Sequence, residues 1–313
     1  MRRARYLARR VAGVLVTLWG VSLLLFVLLQ LQPGGPAEAM LGITATPSQI
    51  AALNRELGHD RPLPARYLHY VAGLAHGDLG ESVIFGRPVT EVIAAALPTT
   101  LKLGAYVLLL SGIATVSLAT LAASRRGGPV DHVIRVLPMV GLGMPSFWIA
   151  VVLLFLFALR LPVFPAGGLQ PGLVGGLRSL FLPAVTLSVV VSAILVRSLR
   201  RGLIDTMESD HVTAARARGL TGARLLLGHV LPNAAIPTLT LLSLVSASLL
   251  GGAVVVESVF ALPGIGQLLV DGFRRHDVPL VMGVALLTAV LVMTVNLLMD
   301  VVHALLDPRV GPR

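Results

Sequence analysis

The sequence contains no cysteine. That excludes disulfides, thiolate metal sites and cysteine nucleophiles together. It is also poor in charge. Only 13% of its 313 residues are Asp, Glu, Lys or Arg, about half of the roughly 25% found in soluble domains. Aromatic residues make up 5%. No GxxxxGK[ST] phosphate loop occurs, so the chain offers no centre for ATP hydrolysis. The eight histidines show no metal-ligand spacing, and no nucleophile, base and orienting group recur in a pattern that predicts an intramembrane enzyme.

What is present is apolar. Hydrophobic residues make up 55% of the chain, and glycine contributes 32 positions. The mean hydropathy is +0.86. Such a composition belongs to a membrane protein whose helices pack closely in lipid. The periodicity predicts an all-α fold with six membrane spans. A basic segment (Arg2, Arg3, Arg5, Arg9, Arg10) precedes the first, at 11–31. At about 20 residues it is long enough to cross a bilayer, and with no clear cleavage site after it we read an uncleaved helix rather than a signal peptide. Residues 32–97 form a polar domain of mixed charge, with a short amphipathic helix over 47–57 and a turn at Gly77-Asp78-Leu79-Gly80. It is too small for an independent enzyme core. Residues 98–313 form the core, with spans at 98–124, 133–159, 180–196, 233–256 and 279–303. Pro138 and Pro145 predict kinks in the third span.

The formal net charge is +10, which by itself fits nucleic acid or membrane topology equally. Its placement decides. With both termini inside, the inner segments hold the N-terminal arginines, Arg125, Arg126, Arg197, Arg200, Arg201, Arg216, Arg218 and Arg224, while the outer segments balance acid against base. The whole excess lies inside, as the positive-inside rule expects. The spans themselves hold little that ionises. Lys102 and Asp300 sit near span ends, and Ser, Thr and Asn296 supply the mid-span polarity. Ion-coupled carriers place carboxylates or histidines near mid-bilayer, so these residues read as interhelical hydrogen-bonding groups first and substrate contacts second.

One polar stretch interrupts the core, at 205–237 between spans four and five. Asp205 and Glu208 have capping-box spacing for a helix that starts near Thr206. Val212 and Ala215 give that helix a small apolar side, and Gly219 can end it in a left-handed cap. Thr221 can start a second helix, and Pro232 and Pro237 lead into span five. Asp210-His211 reads as a surface pair. In span five, Thr240, Ser243, Ala247 and Gly251 keep one face narrow; this serves a partner subunit, a pathway or packing within the chain.

The order Thr213-Ala214-Ala215, then Gly219, then His229-x-Leu231-Pro232 resembles the EAA loop of binding-protein-dependent ABC importer permeases. Thr213 stands where the eponymous Glu usually does, and His229 replaces the usual Ile. Further segments resemble the same family: Gly77-Asp78-Leu79-Gly80-Glu81-Ser82, Met144-Pro145-Ser146-Phe147-Trp148, Phe164-Pro165-Ala166-Gly167-Gly168, and Leu262-Pro263-Gly264-Ile265-Gly266-Gln267-Leu268-Leu269, continued by RRHDVPL from Arg274 to Leu280. They cover nearly the whole chain and point to the B-type permease of the dipeptide/oligopeptide/nickel importer family. The preference for Arg over Lys fits a GC-rich bacterium such as an actinobacterium.

The resemblance implies a type I importer permease in the bacterial plasma membrane, with both termini cytoplasmic. It implies a homologous C-type permease as partner, two ATPase subunits or one fused ATPase carrying ATP and Mg, and an external substrate-binding protein. No cofactor is expected on this chain. The EAA loop would couple to the ATPase through Asp210, Ala214, Ala215, Gly219, Leu231 and Pro232. Asp78, Glu81, Arg274 and Arg275 would meet the binding protein. Met144, Ser146, Ser243, Ala247 and Gly251 would line the pathway or meet the partner permease. Dipeptides or short peptides are the expected cargo; nickel chelates, glutathione or haem are the alternatives within the family. A stand-alone secondary carrier, or a membrane scaffold without transport, is the competing class.

Overall fold

The computed structural model describes residues 13–14, 16–27, 46–56 and 62–306. The basic N-terminal segment, both ends of the first span, most of 28–61 and the tail from 307 lie outside the described residues. The described residues are helical, with one two-stranded hairpin, and divide into two compact units. Of these, the residues up to Thr100 and Pro263–Met293 form the first; Leu101–Leu262 and the described residues from Thr294 form the second.

In the first unit, α1 (Val16–Val27) is an apolar helix. Its Ser22 hydroxyl lies 2.9 Å from the Tyr67 hydroxyl, and its Phe26 packs on Tyr67 and Tyr70 of α3 (Leu63–Ala75). Between them α2 covers Pro47–Glu56, the amphipathic helix the sequence predicts. The strands β1 (Glu81–Ser82) and β2 (Arg87–Pro88) pair antiparallel. Val89, Val92, Ile93 and Ala96, Ile265 of α11 (Ile265–Arg274), and Leu280 and Val284 of α12 (Val278–Leu306) make the core of this unit.

In the second unit the long helices dominate, the first of them entering it at Leu101. α4 (Val89–Ser124) and α7 (Gly172–Met207) each have 36 residues. At 1.5 Å per residue they are about 54 Å long, well beyond a hydrocarbon core of about 30 Å. The sequence predicts spans beginning near Pro98 and residue 180. Both helices in fact start earlier and run through Pro98 and Pro183. A proline suits the first turn of a helix, as expected of Pro98; here Pro98, like Pro183, sits inside one. The predicted third span is two helices. α5 (Pro129–Gly143) and α6 (Ser146–Leu154) meet at 102°. Pro138 stays inside α5, and the break falls at Met144-Pro145. Met144 is extended, with ψ 131°, as a residue before proline prefers. A π-helical turn, Phe155–Arg160, continues α6.

α8 (Asp210–Ala217) and α9 (Gly222–Leu225) follow α7, and a second π-helical turn, Leu226–Val230, leads into α10 (Leu231–Val259). α7 and α10 approach closely at Gly202, where an added Cβ would lie 2.5 Å from the Ala234 carbonyl oxygen. Among the described residues, four helices are long and apolar enough to cross a membrane, five if the bent pair is one span.

Candidate functional site

The elbow between α7 and α10 is built from local rules. Ser209 is extended and caps α8, and Thr213 Oγ1 donates to the Ser209 carbonyl at 3.2 Å. The predicted capping box is therefore not the one used. Asp205 remains inside α7, and Glu208 follows its end and pairs with Arg126 across the surface. The apolar run of α7 carries its helix on through Met207, so the helix start shifts to Asp210. Within α8, Val212 and Ala215 are buried, three residues apart on one face. They join Leu199, Leu203 and Ile204 of α7 and Ala119 and Ala122 of α4 in one cluster. Asp210, Thr213, Ala214, Arg216 and Ala217 are exposed. Of the Ala pair, then, Ala214 faces outward and Ala215 fastens the helix to its own subunit.

Gly219 takes φ +84°. Its N–H donates to the Arg216 carbonyl at 2.9 Å, and the Leu220 N–H donates to the Ala215 carbonyl at 3.2 Å. This pair of bonds is a Schellman closure, which needs a left-handed residue between helix and turn. Leu220 then folds back onto the apolar cluster. Thr221 opens α9. Pro232, in the first turn of α10, has no N–H to give Gly228, and the π-helical turn lies directly before it. Asn233 Nδ2 donates to the His229 carbonyl at 2.8 Å. Leu231 is half-buried and Pro232 exposed.

A buried ion pair braces the same end of the unit. Asp131, on the first turn of α5, is 1% exposed and takes two bonds from Arg200 of α7, at 2.6 and 2.7 Å. The Gly127 N–H adds a third, at 3.0 Å. The fork of a guanidinium matches a carboxylate in this way. Sequence reasoning missed the pair, and 69 positions separate its members. The one available signal is an acid in the first turn of an apolar helix.

The first unit brings a second set together. Asp277 is fully buried. It accepts from Ser82 Oγ at 2.5 Å and from the N–H groups of Ile84 at 2.9 Å and Leu280 at 3.1 Å. One carboxylate thus caps α12 and holds the β1–β2 hairpin. Arg274 and Arg275, just before it, are exposed, as are Asp78 and Glu81. Asp78 Oδ1 accepts from the Gly80 N–H at 2.8 Å and shapes the turn into β1. Asp277 was also overlooked as a site residue; an Asp directly before Val-Pro at a helix start is its cue.

The predicted pathway residues come from the α5–α6 break and from α10. Met144 and Ser146 flank the 102° break and are half-buried. Ser243 is half-buried and donates to the Leu239 carbonyl at 3.1 Å. Gly251 is exposed, and an added Cβ there would meet nothing within 4 Å. The side chain of Ala247 is outside the description. The close approach in α10 is made one position later, at Gly252, where a Cβ would lie 3.1 Å from Leu187 of α7.

Residues 115–312 match the model of a family described as "Binding-protein-dependent transport system inner membrane component", and residues 3–104 match its N-terminal companion. A probable peptide ABC transporter permease of Sinorhizobium fredii is 35% identical over 97% of this chain and 98% of its own length. The di/tripeptide transport system permease DppB of Pseudomonas aeruginosa is 36% identical, with coverage of 97% and 98%. The dipeptide transport system permease DppB of Escherichia coli is 32% identical, with 98% of both chains covered. Among solved structures, the MetNI methionine ABC transporter superposes with a TM-score of 0.57 at 15% identity, over 69% of this chain and 96% of that one. At that identity the likeness speaks for the fold, which is that of a type I ABC importer permease. With its family model, its full-length relatives and its helical fold in agreement, this chain belongs to the binding-protein-dependent transport system inner membrane components, as an ABC permease subunit.

Proposed function

We propose that the chain forms half of a pathway that imports dipeptides or short peptides. The second half is a homologous C-type permease. An external binding protein delivers the cargo, and two ATPase subunits, or one fused ATPase, supply the energy with ATP and Mg held outside this chain. Both termini are cytoplasmic. The observation that carries this reading is the elbow: α8 keeps Val212 and Ala215 for its own core and leaves Asp210, Ala214 and Arg216 exposed beside the left-handed Gly219. A short helix tied to α7 and α10 in this way passes a push from an ATPase to the spans. Relatives named for peptide transport support the cargo. Exposed Asp78, Glu81, Arg274 and Arg275 around the Asp277 clamp offer the binding protein a charged surface.

The test is reconstitution. The chain, its partner permease, the ATPases and the binding protein are placed in proteoliposomes, and uptake of labelled dipeptide is followed with and without ATP. Uptake that needs ATP and every subunit is the expected result. Uptake by this chain alone, driven by an ion gradient, overturns the reading. The same vesicles, offered nickel chelates, glutathione or haem, separate the cargo alternatives.

A further inference from the structure

α5 and α7 enclose a cleft of about 300 Å³ that the coupling elbow does not use. Its walls are graded. His132 and Arg135 on α5 and Arg197 and Arg200 on α7 line one end; Pro138 and Met139 with Ala193 line the other. The two helices run past each other in a register set by the Asp131–Arg200 pair, so cations meet cations and apolar groups meet apolar groups. Among the described residues Asp131 is the single carboxylate bonded there, and Arg200 already takes both of its oxygens. Arg135 reaches it at 3.8 Å only. Arg197 is exposed and, among the described residues, has no hydrogen bond or ion pair. The cleft thus retains positive charge that its own residues do not neutralise. Val136 lines the cleft as well, and outside it Val133, Leu137 and Val140 of α5 are exposed and continue the apolar surface.

The geometry points to a binding site for one anionic glycerophospholipid, its phosphodiester at Arg197 and Arg135 and an acyl chain along Met139 and Ala193. A basic pocket between membrane helices on the cytoplasmic side suits such headgroups. A free phosphate would use the guanidinium groups and leave the apolar wall unused. The inference rests on the proposed function only for placing this end of the helices at the inner leaflet.

The assembled transporter is reconstituted in equal phosphatidylglycerol and phosphatidylcholine, released gently, and weighed by native mass spectrometry. Phosphatidylglycerol is expected to stay with the wild-type complex in preference to phosphatidylcholine. Arg197→Gln and Arg135→Gln are each expected to lower its retention about fivefold, from about 1 kcal/mol per arginine near a lipid surface. Arg125→Gln, which removes a loop charge outside the cleft, is expected to leave retention unchanged, and Arg197→Lys to keep most of it. Equal losses for Arg197→Gln and Arg125→Gln, equal retention of both lipids, displacement by excess inorganic phosphate, or a cross-link from Met139→Cys to the partner permease would each overturn the proposal. ATP-driven uptake is measured in the same vesicles. Its failure with lipid retention intact counts against the transport reading and leaves the lipid site standing.

Discussion

A buried carboxylate persists only where donors replace the water it has lost. Asp277 meets that condition with one hydroxyl and two N–H groups. Charge-assisted bonds of this kind contribute about 1.5–3 kcal/mol each. Asp277→Ala is therefore expected to lower the thermal unfolding midpoint of the purified complex by several degrees. Ser82→Ala, which removes one donor, is expected to lower it less. Equal midpoints for Asp277→Ala and wild type would show that the clamp is not needed to hold the hairpin. Gly219 poses the opposite case. Nothing lies within 4 Å of its missing Cβ, yet φ is +84°, so a substitution costs backbone conformation and not space. A left-handed L-residue costs about 1–2 kcal/mol, and Asn tolerates it best. Gly219→Val is expected to impair uptake and to uncouple ATP hydrolysis, with Gly219→Asn near wild type; normal transport by the Val variant would dismiss the elbow assignment. Gly219 was legible in the sequence because a Schellman closure needs only neighbouring residues. Asp277 and Asp131 were not, since the partners that bury them lie 195 and 69 positions away.

Among elements, the α7–α10 pair sets the strictest limit. At Gly202 a Cβ would lie 2.5 Å from a backbone oxygen of Ala234, and backbone cannot rotate aside as a side chain can. Gly202→Ala is expected to push the helices apart and to cost about 1–3 kcal/mol, the usual range for overpacking. Gly251→Ala, facing open space in the same pair of helices, is expected to cost little. Thermal unfolding in one lipid separates the two; matching midpoints would mean that α7 and α10 do not approach as closely as described. The contrast also sharpens an open expectation. Thr240, Ser243, Ala247 and Gly251, three or four residues apart, give a narrow face for a partner, a pathway or packing within the chain, and the contact with α7 falls beside it, at Gly252. Periodicity shows that a helix has a narrow face, and only the neighbour shows which way the face turns. The same limit explains the long helices: Pro98 signals a helix start locally, yet the helix runs through it, as another does through Pro183.

At the scale of the whole molecule, fold class and family were legible because both are written in runs and motifs: long apolar segments, and an Ala pair, Gly and Leu-Pro in fixed order. Orientation rests on charge. The excess of +10 falls on the segments read as inner, and arginine resists transfer across the bilayer. The absence of cysteine makes this testable without background. Val83→Cys, in the exposed hairpin, and Ala217→Cys, at the exposed end of α8, each introduce a single thiol. With a membrane-impermeant maleimide, Val83→Cys is expected to label in right-side-out vesicles only, and Ala217→Cys in inside-out vesicles only. Addition of the ATPase subunits is expected to protect the thiol of Ala217→Cys and leave that of Val83→Cys reactive. The reverse labelling pattern would invert the topology, and with it the assignment of the elbow to the ATPase side. Correct sidedness without protection would keep the topology and move the ATPase contact elsewhere on the inner surface.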